Sequence, residues 1–427
     1  MNSSHVSGSG YWARLRKRFR AMGVLTAVAG LGGAAQGASP VEQAPGAATM
    51  LSPTLGTPSL SPDFQPPSLP SADWEEQTAG RWLRWAHLRV RYSLSYSDGT
   101  LAGPGQPAST ITQTVSPGIN LRLSDRWFVS YSPSITFYSN DRFRDGVDHL
   151  VALNGGFDWA GWYFGVGQTG SWMSSKTLVE TGTQTDQQSY GTSLSAARAL
   201  STKVSLDLGL QQNIRLAANY TDVWSWSAQN WLNYQAAPRF SYGPGVSFGY
   251  TMVDPGTDMT FEQFLGRVSW QATDKLSLSV NGGVEIRQLL DTGLSDLVNP
   301  IFGASLQWQV FEFTTLSFHA DHSVNASYYS DQVTQNTTLG GSLNQRLLKK
   351  LNLGVSAGYR TGDYLAAAAG VGAVRRDETF YYNIRLSTRF LKDGTLGAFY
   401  GRTENLSNDN AYSFGDNRVG FDIGYRW

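Results

Sequence analysis

The sequence predicts an all-β fold: a transmembrane antiparallel β-barrel of sixteen to eighteen strands, eighteen favoured. Three observations carry this. Segments in which apolar and polar residues alternate recur from Trp85 to the last residue, and a period of two is the period of a strand. Tight turns alternate with longer polar loops along the same stretch. Outside the N-terminal leader, no apolar run reaches the ~18 residues a membrane helix needs.

Composition agrees. Aromatic residues make up 13% of the 427 residues, yet the mean hydropathy is a mildly polar −0.28. A barrel wall has this balance, because half of each strand faces water. There is no cysteine, which excludes a disulfide scaffold, a thiolate metal site and a cysteine nucleophile. Charge balances to zero, so nothing in bulk argues for nucleic acid as a partner.

Residues 1–37 read as a secretory signal peptide. Arg14, Arg16, Lys17, Arg18 and Arg20 form a basic start, and Ala21 to Ala35 form a short apolar core. Ala35-Gln36-Gly37 then supplies small residues where a signal peptidase cuts. Residues 38–84 are expected to form a disordered periplasmic segment. Pro53, Pro58, Pro62, Pro66, Pro67 and Pro70 prevent regular structure there. Asp73 to Arg84 could make a helical turn or two, and Trp74, Trp82 and Trp85 suit a membrane interface.

The barrel is expected over residues 85–427. In the first strand Leu88, Val90, Tyr92, Leu94 and Tyr96 share one face, and Arg89, Arg91, Ser93 and Ser95 share the other. Later strands repeat the rule: Ile119, Leu121, Leu123; Trp127, Val129, Tyr131; Val151, Leu153, Phe157, Trp159. Tight turns are expected at Ser124-Asp125-Arg126, Ala160-Gly161, Ser201-Thr202-Lys203, Gly243-Pro244-Gly245 and Thr273-Asp274-Lys275. Further turns are expected over 310–313, at Lys349-Lys350 and at Lys392-Asp393-Gly394. Longer loops are expected over 173–188, 217–228, 254–258, 290–297, 328–333, 363–377 and 406–410. Residues 217–272 and 297–315 are less regular, which leaves room for bulges and for the lower strand count. The loop Leu365 to Val374 is apolar where a polar loop is expected. It could fold into the barrel and narrow it, cap the rim or contact a partner.

The last strand alternates strictly. Val419, Phe421, Ile423, Tyr425 and Trp427 form one face; Arg418, Gly420, Asp422, Gly424 and Arg426 form the other. As a soluble edge it would invite aggregation, whereas a barrel closed on its first strand leaves no edge. This ending resembles the C-terminal signature of Gram-negative outer-membrane barrels read by the barrel-assembly machinery, with Trp427 where that signature has Phe. Residues 85–427 as a whole resemble the putative β-barrel porin group, through pattern and not through a sharp motif. The resemblance implies an outer-membrane channel for passive diffusion of small polar solutes, with no cofactor. By the same resemblance, lipid, lipopolysaccharide and the assembly machinery would be its partners, and the barrel could form a homo-oligomer. Short turns and both termini would be periplasmic, with long loops outside. A soluble sandwich or propeller explains the alternation, but not the leader, the terminal aromatic and the turn/loop asymmetry together.

Parity names the pore-lining residues. Arg89 and Arg91 lie on the first strand, Asp207 and Arg215 on the seventh, Arg267 on the tenth, and Glu285 and Arg287 on the eleventh. Arg385 and Arg389 follow on the sixteenth, then Arg418, Asp422 and Arg426 on the last. Closure would gather the arginines of the first, sixteenth and last strands on one stretch of wall. That wall would favour anionic solutes unless the arginines pair with Asp422, Glu285, loop acids or lipopolysaccharide. An export conduit using residues 38–84 is the alternative. A lipid hydrolase is a third reading, which the spacing of His322 and Ser323 opposes, since neighbours on a strand point to opposite faces. His319 and Asp321 share the inward face, and Asp254, Asp258 and Asp296 have no calcium-loop spacing.

Overall fold

Alternation dictates a wall with two chemistries, and the structure closes that wall. It is a computed structural model describing residues 85–427 except positions 349 and 373, with the side chains of 175 and 176 also undescribed. The leader, the Pro-rich segment and the turns expected near Asp73 to Arg84 lie outside the described residues. The strands are β1 (Ala86–Leu101), β2 (Pro107–Ser124), β3 (Trp127–Tyr138), β4 (Gly146–Trp159), β5 (Trp162–Leu178) and β6 (Thr183–Ala199). Next come β7 (Val204–Ala217), β8 (Asp222–Ala237), β9 (Phe240–Asp254), β10 (Met259–Thr273), β11 (Leu276–Leu289) and β12 (Leu297–Phe311). The last are β13 (Thr314–Ala326), β14 (Gln332–Leu347), β15 (Leu351–Ala366), β16 (Arg376–Phe390), β17 (Gly394–Ser407) and β18 (Phe414–Arg426). Each pairs antiparallel with its neighbours in sequence, and β18 pairs with β1 from Arg89↔Arg426 to Ser97↔Arg418. The eighteen strands therefore form one closed barrel.

The alternation sorts as expected. Phe421 is 43% exposed on the outer wall, whereas Asp422 beside it is 1% exposed inside. Turns of a few residues gather at one end and longer loops at the other. At Ala160-Gly161 both residues have positive φ (51° and 79°), the geometry of a two-residue hairpin turn matched to strand twist. Three expected boundaries move. Gly243-Pro244-Gly245 lies inside β9, and the turn falls instead at Pro238-Arg239. The loops expected over 173–188 and 217–228 shrink to 179–182 and 218–221, because polar and aromatic residues there continue the strands.

Prolines mark the breaks in the ladder. Pro117, Pro133, Pro244 and Pro300 each pair with one neighbouring strand, at Val90, His149, Gly266 and Val284. On their other side the ladder is interrupted. The β2–β3 register skips from Val115↔Ile135 to Ile119↔Tyr131, and the β8–β9 register from Trp231↔Gly245 to Tyr234↔Tyr242. A residue with no N–H can be accommodated where no partner requires it.

At Pro300 the break runs to the end of the strand. The β12–β13 ladder stops at Phe302↔His322, although β12 begins at Leu297 and β13 continues to Ala326. Beyond this fork the end of the β13–β14 hairpin lies inside the barrel. Val324 and Val333 have the parity of the outer wall, yet they are 4% and 0% exposed. They pack with Val253, Met259 and Leu289 from the inward faces of β9, β10 and β11.

Candidate functional site

The lumen and its loop-end mouth form the candidate site. Its basic wall is made by β16, β18 and β1. Asp422 is nearly enclosed between two arginines, Arg385 at 2.6 Å and Arg91 at 3.0 Å. Nearer the loop end, Arg418 pairs with Asp416 at 3.7 Å. Nearer the turns, Arg89 and Arg426 stand opposite one another in register, and Arg389 is a further like-charged neighbour of Arg426. Arg89 donates to Ser132 Oγ at 2.6 Å. Gly118 leaves room for it, since a Cβ there would lie 2.6 Å from Arg89 Nε.

The facing wall holds its charges in pairs. Arg267 is salt-bridged to Asp207, donates to Asn233 at 2.6 Å and lies 4.6 Å from the centroid of Trp231. Glu285 and Arg287 are paired at 2.8 Å, with 2% and 4% of their surfaces exposed. Gln263 donates to Glu285 at 2.7 Å, and Arg287 donates to the Val324 carbonyl of the inward hairpin at 2.9 Å. Glu285→Ala would leave a buried guanidinium without its carboxylate, a loss of about 3–5 kcal/mol. Urea unfolding of the refolded barrel should show a clearly lowered midpoint; an unchanged midpoint would mean that water replaces the carboxylate at no cost.

The tip of the hairpin, residues 327–331, crosses the lumen to β6 and β7. Ser327 is fully buried and Tyr328 is 5% exposed. Arg215 on β7 donates to the Ser327 carbonyl at 2.7 Å and lies 3.8 Å from the centroid of the Tyr328 ring. Thr221 donates to the same carbonyl at 2.8 Å. Tyr328 donates to Gln187 on β6 at 3.0 Å. Glu180, in the β5–β6 loop, accepts from Ser327 Oγ at 2.5 Å and from the Tyr328 amide at 2.8 Å. Other loops close around this latch. Thr257 donates to Asp331 at 2.7 Å, and Arg375 donates to the Glu180 carbonyl at 2.6 Å while lying 3.4 Å from the Tyr412 centroid. The Tyr329 and Tyr412 hydroxyls are 3.0 Å apart. Burial, helped by that bond, holds the Tyr329 phenol well above its ordinary range, so it stays protonated.

Residues 262–426 match the family model described as Putative beta-barrel porin 2. Over these residues the chain resembles that family, and its described residues form a closed eighteen-strand barrel. No curated protein matches the sequence. Among solved structures, the outer membrane protein OpdK of Pseudomonas aeruginosa is 10% identical, with 80% of this chain and 99% of that one covered at a TM-score of 0.43. OpdL of the same organism is 13% identical, covering 80% and 98% at 0.41. OccAB4 of Acinetobacter baumannii is 11% identical, covering 83% and 100% at 0.40.

In this barrel the residues assigned to the lining by parity serve different arrangements. The arginines of β1, β16 and β18 gather on one wall. Glu285 and Arg287 lie beneath the hairpin, and Arg215 holds its tip. The apolar stretch Leu365 to Val374 divides: Ala367 is buried against the hairpin cluster, while Val374 is 83% exposed. His322 lies at the fork, stacked on Phe302 and 2.7 Å from Thr337 Oγ1. Ser323, the next residue, has the opposite strand parity. His319 and Asp321 face inward near Arg360. Among the described residues, no group of three metal-ligating side chains converges. Sequence reasoning did not find Glu180, Tyr328, Arg375 or Tyr412. Their partners lie far away in the chain, and only the adjacent aromatics Tyr328-Tyr329 in a loop hinted at burial.

Proposed function

We propose that this outer-membrane barrel is a passive channel for small polar solutes that prefers anions, with its loop end facing outward. The single observation that supports this reading is the distribution of charge inside the closed wall. One face gathers Arg89, Arg389 and Arg426 toward the turns, whereas two acids of the facing wall, Asp207 and Glu285, are taken up in ion pairs. Charge of one sign along a narrow, low-dielectric passage raises the local concentration of its counter-ion. Fold supplies the passage, because eighteen strands enclose a bore wide enough for water. The cross-lumen hairpin narrows it at the loop end. The decisive experiment is single-channel recording of the refolded protein in a planar bilayer under a potassium chloride gradient. A reversal potential on the chloride side is expected; a potential on the potassium side would overturn the anion preference.

A further inference from the structure

We propose that the end of the β13–β14 hairpin, residues 323–335, is a gate with two positions: seated inside the barrel, as the structure holds it, and rejoined to the wall beside β12. The proposal rests on the channel reading above.

The first support is the fork. Two strands that pair from Phe311↔Thr314 to Phe302↔His322 part company while both remain extended, so the unpaired edge of β12 and the end of β13 are preformed for each other. Continuing the register from Phe302↔His322 would place Val298 opposite Ala326 and Ile301 opposite Ser323. In that position Val324 and Val333 would return to the outer face that their parity prescribes. An unpaired strand edge is costly near lipid, which favours rejoining.

The second support is that the seat fits imperfectly. The apolar part is well packed, with Val333 and Met259 almost wholly buried. The polar part is not. Gln335 donates to Asn299 Oδ1 at 2.6 Å, but Asn299 Nδ2 has no partner, and neither has Gln263 Oε1 on the same wall. Both side chains are more than nine-tenths buried. Withdrawing the hairpin would return them to water. The wall position has its own defect, since Pro300 has no N–H to offer across the seam. Each position thus carries an unmet requirement, and neither is the sole acceptable place for the hairpin.

The third support is that the moving part is defined. The β14–β15 ladder is continuous to Gln332↔Ala366, so the end of β15, with Leu365 and the following Ala367, must travel with the hairpin. Its outer holds include the Arg215–Ser327, Glu180–Tyr328 and Thr257–Asp331 contacts. Releasing them clears the lumen at the loop end.

The native chain has no cysteine, so paired cysteines report position without background. Thr257→Cys with Asp331→Cys joins residues that touch in the seated position. Val298→Cys with Ala326→Cys joins residues that meet only in the wall position, where opposed strand residues approach closely enough for a disulfide. Both pairs should cross-link under oxidation in lipid vesicles, read by gel shift and mass. In planar bilayers the oxidised Thr257/Asp331 pair should hold the low conductance, and the oxidised Val298/Ala326 pair should raise it at least about twofold, by mass action on a two-position equilibrium. Reductant should restore both. If the Val298/Ala326 pair never cross-links, the hairpin does not reach the wall and the proposal fails. If both pairs cross-link with no change in conductance, the movement is not a gate and it also fails. If neither variant nor the native protein conducts, the channel reading falls first, and the cross-link yields still report whether the hairpin moves.

Discussion

Replacing Arg89, Arg389 and Arg426 together by glutamine should remove the chloride preference and bring the anion-to-cation permeability ratio down by about threefold or more. These residues are chosen because their charges reinforce one another: Arg89 and Arg426 are opposed in register, and Arg389 adds a third positive charge near Arg426. Arg91 and Arg385 are not chosen, since both pair with Asp422 and removing them would strand a buried carboxylate. The effect should shrink as salt rises, because the Debye length falls from about 10 Å at 0.1 M to about 3 Å at 1 M. Reversal potentials in dilute and concentrated chloride gradients measure both statements. A triple variant with native selectivity at low salt would place the selectivity elsewhere, and the mouth loops would be the next region to change.

Arg215→Ala should turn a constricted channel into a largely open one. The guanidinium makes two contributions to the latch. Its charged hydrogen bond to the Ser327 carbonyl contributes about 1.5–3 kcal/mol. Its stacking on Tyr328, shielded from water, contributes about 1–2 kcal/mol. The Thr221 hydroxyl would still hold the same carbonyl, so only part of this is lost. A net loss of about 3 kcal/mol changes the ratio of seated to released hairpin by about a hundredfold. Single-channel records should then show longer high-conductance dwells and a larger mean current. Arg215→Lys keeps the charge but not the planar fork and should fall between the two. If Arg215→Ala conducts like the native protein, the tip is held by the surrounding loops and not by this contact.

Much of this molecule is set by local chemistry. Period-two alternation assigns each residue to lipid or lumen, and strictly alternating stretches such as Val419 to Trp427 leave one register consistent with a greasy exterior. At the Ala160-Gly161 turn the glycine takes a positive φ at no steric cost, which marks the turn locally. The fold class and the favoured strand number were therefore legible in the chain. Alternation fails as a guide where a strand leaves the wall. Val324 and Val333 obey the same rule as Phe318 and Leu339, and nothing in their own spacing says that they pack indoors. Pro300 was the local sign of a broken seam, but a proline states only that one N–H is missing, not what the neighbouring strand does instead. Which acids the arginines meet was likewise a tertiary decision. Asp422 meets Arg385 across β17, and Glu180 meets Tyr328 across the lumen, over separations in sequence that no local pattern records. The sequence by itself determined the wall. Contacts between distant strands determined where the lumen is narrow and which charges a solute would meet.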